Sequence, residues 1–168
     1  MRRAKGTIHV FTFKDGLLSA VAHDLRLHIE QFAITLEGTT VRGEFDLASL
    51  HLDGPVRDGV VHPEEYDAGR RADVEKATHH DVLHTDKHPT ARFSGQATSL
   101  GAGFAVSGEL ELAGRKAPLA FEVREEGGSY RARIDLVPSR WGIAEYKAML
   151  GTIRLKDLVR IELALSDA

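Results

Sequence analysis

The chain has 168 residues, 42% of them hydrophobic and 28% charged, with no cysteine and a formal net charge of -3 at pH 7. These values predict a single folded domain over residues 1–168 with a core of its own. They exclude a disulfide framework, a thiolate nucleophile and a sulfur-ligated zinc site, and the interspersed charges offer no basic stripe for nucleic acid.

The N-terminal stretch "MRRAKGTIHVFTF" is basic at first but runs directly into alternating residues. It lacks the apolar block of roughly 7 to 15 residues and the small-residue cleavage site of a secretory leader, so a cytoplasmic protein is expected. No later segment is apolar over the length that a bilayer demands. "GTIHVFTF", "LLSAVAH", "LRLHIEQFAITLEG" and "TVRGEFDLASLHLDG" read as strands, with a slip of the alternation at Ala48 and Ser49 that suggests a bulge. The adjacent His23 and Asp24 would point to opposite faces of a strand, so a turn donor or a hydrogen-bonded histidine at the barrel rim is expected there rather than a catalytic dyad.

The segment "EEYDAGRRADVEKATHHDVLH" breaks the pattern: it is rich in charge and alanine, has no period of two and is followed by Pro89. It is the helix candidate, from about Ala68 to His84. Its end, with the residues just after it, carries His79, His80, His84 and His88, four of the nine histidines of the chain. At 100° per residue His80 and His84 share a face beside an apolar stripe of Val74, Ala77, Thr78 and Val82, and could hold one zinc ion with a third ligand from elsewhere. The spacing is not that of a zincin, because Asp81 stands where the glutamate base would be. A solvated helix end, with His84 and Lys87 at its negative pole, is the alternative, and neither a metal nor another cofactor is assigned.

The second half gives the clearest signal. In "FAVSGELEL" Phe104, Val106, Gly108, Leu110 and Leu112 alternate with Ala105, Ser107, Glu109 and Glu111. In "PLAFEVRE" Leu119, Phe121 and Val123 alternate with charged or small residues, and in "YRARIDL" Tyr130, Ala132, Ile134 and Leu136 oppose Arg131, Arg133 and Asp135. Such alternation marks half-buried antiparallel strands. The short turn signals "AGRKA" and "EEGGS" make successive strands hairpins. Trp141 stands where strand pattern gives way to a loop, placed either to line a barrel mouth or to plug its end. A last pair, "GTIRLKD" and "VRIELAL", is expected to bend at Lys156 to Leu158.

About ten strands with charge on one face and a single helix define an all-β protein, an antiparallel sheet closed around an apolar interior. The charged outer faces exclude a membrane barrel. No serine lies in a nucleophile elbow and no glycine-rich phosphate loop follows a strand, so no active site is expected.

The ordered set "SAVAHDLRL", a helix leading into "VLHTDKHPTARFSG", "FAVSGELELAGRKAPL" and "PSRWGIAEYKAMLGTIRLKD" resembles the YceI-like, polyisoprenoid-binding family. The chain departs from that pattern at His88, where the family usually has an aromatic residue before the proline. The resemblance implies a lipocalin-like antiparallel barrel whose cavity takes a polyisoprenoid, an isoprenoid quinone tail or a fatty acyl lipid without catalysis. The inward residues then expected against the ligand are Phe104, Val106, Leu110, Phe121, Val123, Ile134, Leu136 and Trp141. Burying a tail of roughly 15 to 40 carbons at about 25 cal/mol per Å² suffices for micromolar binding without a charged contact. Two other readings stand beside it: a metal-dependent enzyme built on the His79 to His88 cluster, and a filled barrel acting as an interaction module, possible as a homodimer paired through a sheet edge.

Overall fold

A computed structural model describes residues 1–15, 23–148 and 153–168. The strands are β1 (Arg2–Lys14), β2 (Asp24–Ile29), β3 (Phe32–Glu37), β4 (Thr40–Asp46), β5 (Leu50–Arg57), β6 (Val60–Val61), β7 (Thr90–Ser99), β8 (Gly103–Leu112), β9 (Arg115–Glu126), β10 (Ser129–Leu136), β11 (Lys147–Ala148) and β12 (Ile153–Asp167). One helix, α1 (Ala68–Lys76), continues as a π-helical turn over Ala77–Val82. The expected strand in "LLSAVAH" lies outside the described residues except for His23, which precedes β2. Among the described residues no helix is long and apolar enough to cross a membrane.

Hydrogen-bonded neighbours run β12, β10, β9, β8, β7, β4, β3, β1, and β1 pairs back onto β12, so eight antiparallel strands close into a barrel. Closure satisfies the backbone groups that a sheet edge would leave open. The far edge of β1 is shared. Its beginning, Arg2 to Ala4, pairs with β3, and its later part, His9 to Thr12, pairs with β2, which carries β5 and β6 as an outer flap. Gly6 lies at the handover with a φ of 143°, and a Cβ there would stand 2.1 Å from the carbonyl oxygen of Ala164, so only glycine fits.

Three expectations are corrected. The slip at Ala48 and Ser49 is a 3-10 turn, Leu47–Ser49, that separates β4 from β5, and the Asp46 carboxylate caps it by accepting from the Ala48 N–H at 3.0 Å. "LRLHIEQFAITLEG" is likewise two strands, β2 and β3, which pair with different parts of β1. The bend at Lys156 to Leu158 does not exist: β12 is one strand of 15 residues. There the ladder to β1 passes from Thr12↔Val159 to Lys14↔Leu155, so the three residues stand opposite Phe13 alone. Asp157 suits a turn by composition, but its carboxylate instead accepts from the Ser139 N–H at 2.9 Å and from the Ser139 hydroxyl, tying down the 3-10 turn Pro138–Trp141.

The helix agrees with the expected span. Asp67 caps its start, accepting from the Arg70 N–H at 2.7 Å, and it gives out before His84, whose φ is 50°. The turn after Lys76 is wider than an α-turn, with the Leu83 N–H bonded to the Thr78 carbonyl, so the 100° wheel does not hold across His80 and His84. No residue of the helix is buried, yet it fills the place of a strand beside β5. Glu75 accepts from the Leu52 N–H at 2.8 Å, Arg71 donates to the carbonyls of Leu52, Asp53 and Pro63, and His79 Nε2 donates to the Leu50 carbonyl at 2.9 Å. Side chains thus satisfy an edge that backbone would otherwise have to cover. Beneath them Leu27, Leu50, Leu52 and Tyr66 form a small core with Val74 and Leu83, and Leu83 packs also against the main core inside the barrel.

Truncating Arg71 to alanine strips a donor from three carbonyls and is expected to lower stability by about 1 to 3 kcal/mol. Urea unfolding followed by circular dichroism measures this, and an unmoved midpoint would mean that water serves the β5 edge equally well.

Candidate ligand cavity

Strand pleating sends alternate side chains of β8, β9, β10 and β12 inward, and eight strands give a barrel that side chains either just fill or leave hollow. This one is hollow. The interior holds a cavity of about 520 Å³, within the range of small-molecule sites. Inward-facing Phe104, Leu119, Phe121, Val123, Ile161 and Leu163 are only partly buried, because part of their surface faces the void rather than other atoms. Ala132, between Tyr130 and Ile134, is small enough to keep the space open.

Of the eight residues expected against a ligand, Phe104, Val106, Leu110, Phe121, Val123, Ile134 and Leu136 stand together on the cavity wall. Trp141 does not line the cavity. It is 1% exposed and its indole N–H donates to the Leu110 carbonyl at 2.8 Å, so it packs into the core as the end of the Pro138–Trp141 turn. A buried indole needs such an acceptor, and the strand carbonyl supplies it.

The wall also contains residues that sequence reading did not assign to it. Ile8 and Val10 of β1 carried a readable signal, since they alternate with His9 and Phe11. Phe45 of β4 and Phe93 of β7 lie beside glycines on strands whose inward faces are partly small, and their alternation is faint; the Phe93 ring meets Phe121 with centroids 5.6 Å apart. Val74, Ala77, Thr78 and Val82, the apolar stripe of the helix, close the gap between the flap and the barrel.

Polar side chains gather where the wall ends. Around the start of β1 are Arg2, Arg3, Tyr130, Arg131 and Asp167. Toward its other end are Thr12, His23, Tyr66, Arg70, Glu145, Tyr146 and Lys156. The Thr12 hydroxyl is buried and has no hydrogen-bond partner among the described residues. His23 meets the Tyr66 ring edge-on at 5.9 Å, and the Arg70 guanidinium lies 4.1 Å from the centre of that ring. Burial, and then the Arg70 charge, hold the His23 pKa below its ordinary 6.5. Burial likewise pushes the Tyr66 phenol up. Asp24 accepts from the Lys14 N–H at 2.8 Å, so His23 and Asp24 serve different places, as expected of strand neighbours.

The histidine cluster does not assemble into a metal centre among the described residues. His80 and His84 are exposed, and His79 is spent on the Leu50 carbonyl. Among the described residues, the one group of three ligand-type side chains already within 4.8 Å of one another is His62, Glu64 and Glu65, on the segment before the helix.

An antiparallel eight-stranded barrel around an apolar chamber defines the class of the molecule, a β-barrel with room for an apolar guest. A family model described as "YceI-like domain" matches residues 9–166, and the chain belongs to that family. Its fold is similar to BcnA of Burkholderia cenocepacia, at 13% identity with a TM-score of 0.61, covering 95% of this chain and 94% of that one. It is similar to a polyisoprenoid-binding domain of Saccharophagus degradans implicated in plant cell wall breakdown, at 10% identity and a TM-score of 0.58, covering 96% and 92%. It is similar also to the YCEI protein of Campylobacter jejuni, at 12% identity and a TM-score of 0.59, covering 84% of each. No curated protein matches the chain.

Because the His23 pKa is lowered in the folded protein, the unfolded chain binds more protons below pH 6.5, and this group loses its stabilising contribution as pH falls from 6.5 through the folded value. An NMR titration is expected to place the His23 midpoint below 6.5, and His23→Gln to flatten the acid slope of stability in that window. A midpoint at or above 6.5 would contradict the burial and the Arg70 contact together.

Proposed function

We propose that the protein binds a long-chain apolar molecule inside the barrel, a polyisoprenoid, an isoprenoid quinone or a fatty acyl lipid, and carries or sequesters it without chemical change. The observation that carries this reading is the 520 Å³ cavity with its almost wholly apolar wall. An apolar tail gains about 25 cal/mol for each Å² removed from water, enough to offset the ordering of a flexible chain. Phe104, Val106, Leu110, Phe121, Val123, Ile134 and Leu136 are the side chains we place against the tail, with Trp141 holding the chamber end from behind. Membership of the YceI-like family and the likeness to a domain whose name states polyisoprenoid binding support the choice of ligand class. The polar residues at the chamber ends, Thr12, His23 and Tyr66 among them, offer a head group a few hydrogen bonds but, among the described residues, no nucleophile paired with a base, which favours carriage over catalysis.

Native mass spectrometry of freshly purified protein is expected to find a copurified lipid, or uptake of an added isoprenoid quinone with micromolar affinity. Ala132→Phe, which fills the chamber from within, should weaken uptake at least tenfold while circular dichroism stays unchanged. Neither lipid nor uptake in the unaltered protein, or full uptake by the filled variant, would reject the reading.

A further inference from the structure

Outside the barrel, on the side of the flap away from the cavity, the alternation that turns Leu27, Ile29 and Leu50 inward turns Arg26, His28, Glu30, His51 and Asp53 outward. The β2–β5 register sets His28 directly opposite His51, with ring centroids 5.9 Å apart. The register then skips one residue: Leu27 pairs with Leu52 and Arg26 with Gly54, which leaves Asp53 as the extra residue of a bulge. Bulges re-aim side chains. This one directs Asp53 at two partners, the His28 Nδ1 at 2.6 Å and the Arg26 Nε at 2.7 Å.

Each imidazole has a carboxylate behind its Nδ1. Asp53 stands behind His28, and Glu75, itself fixed by the Leu52 N–H, stands 3.6 Å from His51 Nδ1. Both Nε2 atoms face the single carboxylate of Glu30, at 3.5 Å for His28 and 3.8 Å for His51. Metal-bound histidines are characteristically backed in this way, because a carboxylate on one ring nitrogen fixes the tautomer and makes the other a better donor.

We infer that His28 Nε2, His51 Nε2 and the Glu30 carboxylate form a binding site for a divalent transition-metal ion of the zinc class, with Asp53 and Glu75 as its supporting carboxylates. Donors on one zinc ion at about 2.0 to 2.1 Å lie roughly 3 to 3.5 Å from each other, and two imidazoles on it put their ring centres about 5 to 6 Å apart. Glu30 already stands 3.5 and 3.8 Å from the two Nε2 atoms and the ring centres are 5.9 Å apart, but the three donors do not yet lie within 4.8 Å of one another, so binding an ion requires the two partly exposed rings to turn toward each other. Three carboxylates, Glu30, Asp53 and Glu75, surround the two imidazoles against the Arg26 guanidinium on Asp53 and the Arg71 guanidinium on the neighbouring Leu52 and Asp53 carbonyls, an excess of one negative charge that suits a cation. Imidazole with one carboxylate favours zinc, nickel or copper over calcium or magnesium and leaves positions open for water. His62, Glu64 and Glu65 are closer together, but Glu65 is held by Arg57 and His62 has no carboxylate behind it other than the would-be ligand Glu64. The site is independent of whatever occupies the barrel.

The test is titration of the untagged full chain with Zn2+ at pH 7.5, by calorimetry and by the visible spectrum of the Co2+ form. The expected result is one ion bound at micromolar affinity. His28→Ala and His51→Ala should each weaken it at least tenfold and Asp53→Asn about 10- to 100-fold, whereas His62→Ala and His80→Ala should leave it unchanged. Histidine ring 15N NMR of the unaltered chain gives a second reading, with the Nε2 signals of His28 and His51 moving together on addition of Zn2+. Affinity weaker than millimolar, unmoved Nε2 signals, or binding lost with His62 or His80 instead would overturn the inference.

Discussion

The ladder between β1 and β12 creates the interior, since without it the sheet would have two edges and no inside. Once the ring is shut, every inward side chain of eight strands faces a common axis, and the bulk of those side chains alone determines how much space is left. Ala132 leaves room on the wall by its small size, while at Gly43 and Gly95 the place of a side chain is taken by the neighbouring Phe45 and Phe93 rings. The cost of closure appears at Gly6, where β1 must leave β3 for β2 while passing close to the backbone of β12.

That handover explains the rest of the architecture. Because β1 serves two neighbours on one edge, β2 and β5 splay off the ring, and the outer edge of β5 is left without a strand beside it over Leu50 to Asp53, before β6 pairs with its end. The helix takes that position with Arg71, Glu75 and His79 acting in place of backbone groups. A charged and alanine-rich helix with no buried residue is therefore well matched to its place: it is required to cover an edge and to present a thin apolar stripe, not to anchor a core.

The meander from β8 to β10 was legible in the sequence because each strand is wet on one side and dry on the other, so "FAVSGELEL" and "YRARIDL" could hardly pack otherwise. β7 was not, since its inward face is Ala91, Phe93, Gly95 and Ala97 and carries little hydrophobic contrast. Lys156 and Asp157 resembled a turn by composition, and only the pairing of β12 on both sides shows that Asp157 reaches sideways to the Ser139 turn. Seven of the cavity residues came from simple alternation. Trp141 could not be placed that way, since its position depends on which carbonyl its indole meets. The outward set on β2 and β5 was visible as letters, but the alignment of His28 with His51, 23 positions on, is a property of register and of the Asp53 bulge.

The helical wall differs from the rest of the enclosure in the kind of force that keeps it there. Strand walls are stitched to neighbours on both sides by backbone ladders that open only together. The helix is fastened to β5 by a handful of side-chain bonds, each of which can open without the others. Among the described parts of the enclosure it is the panel held without a backbone ladder, so a bulky, flexible guest passing sideways would meet less resistance there than through a wall of strands.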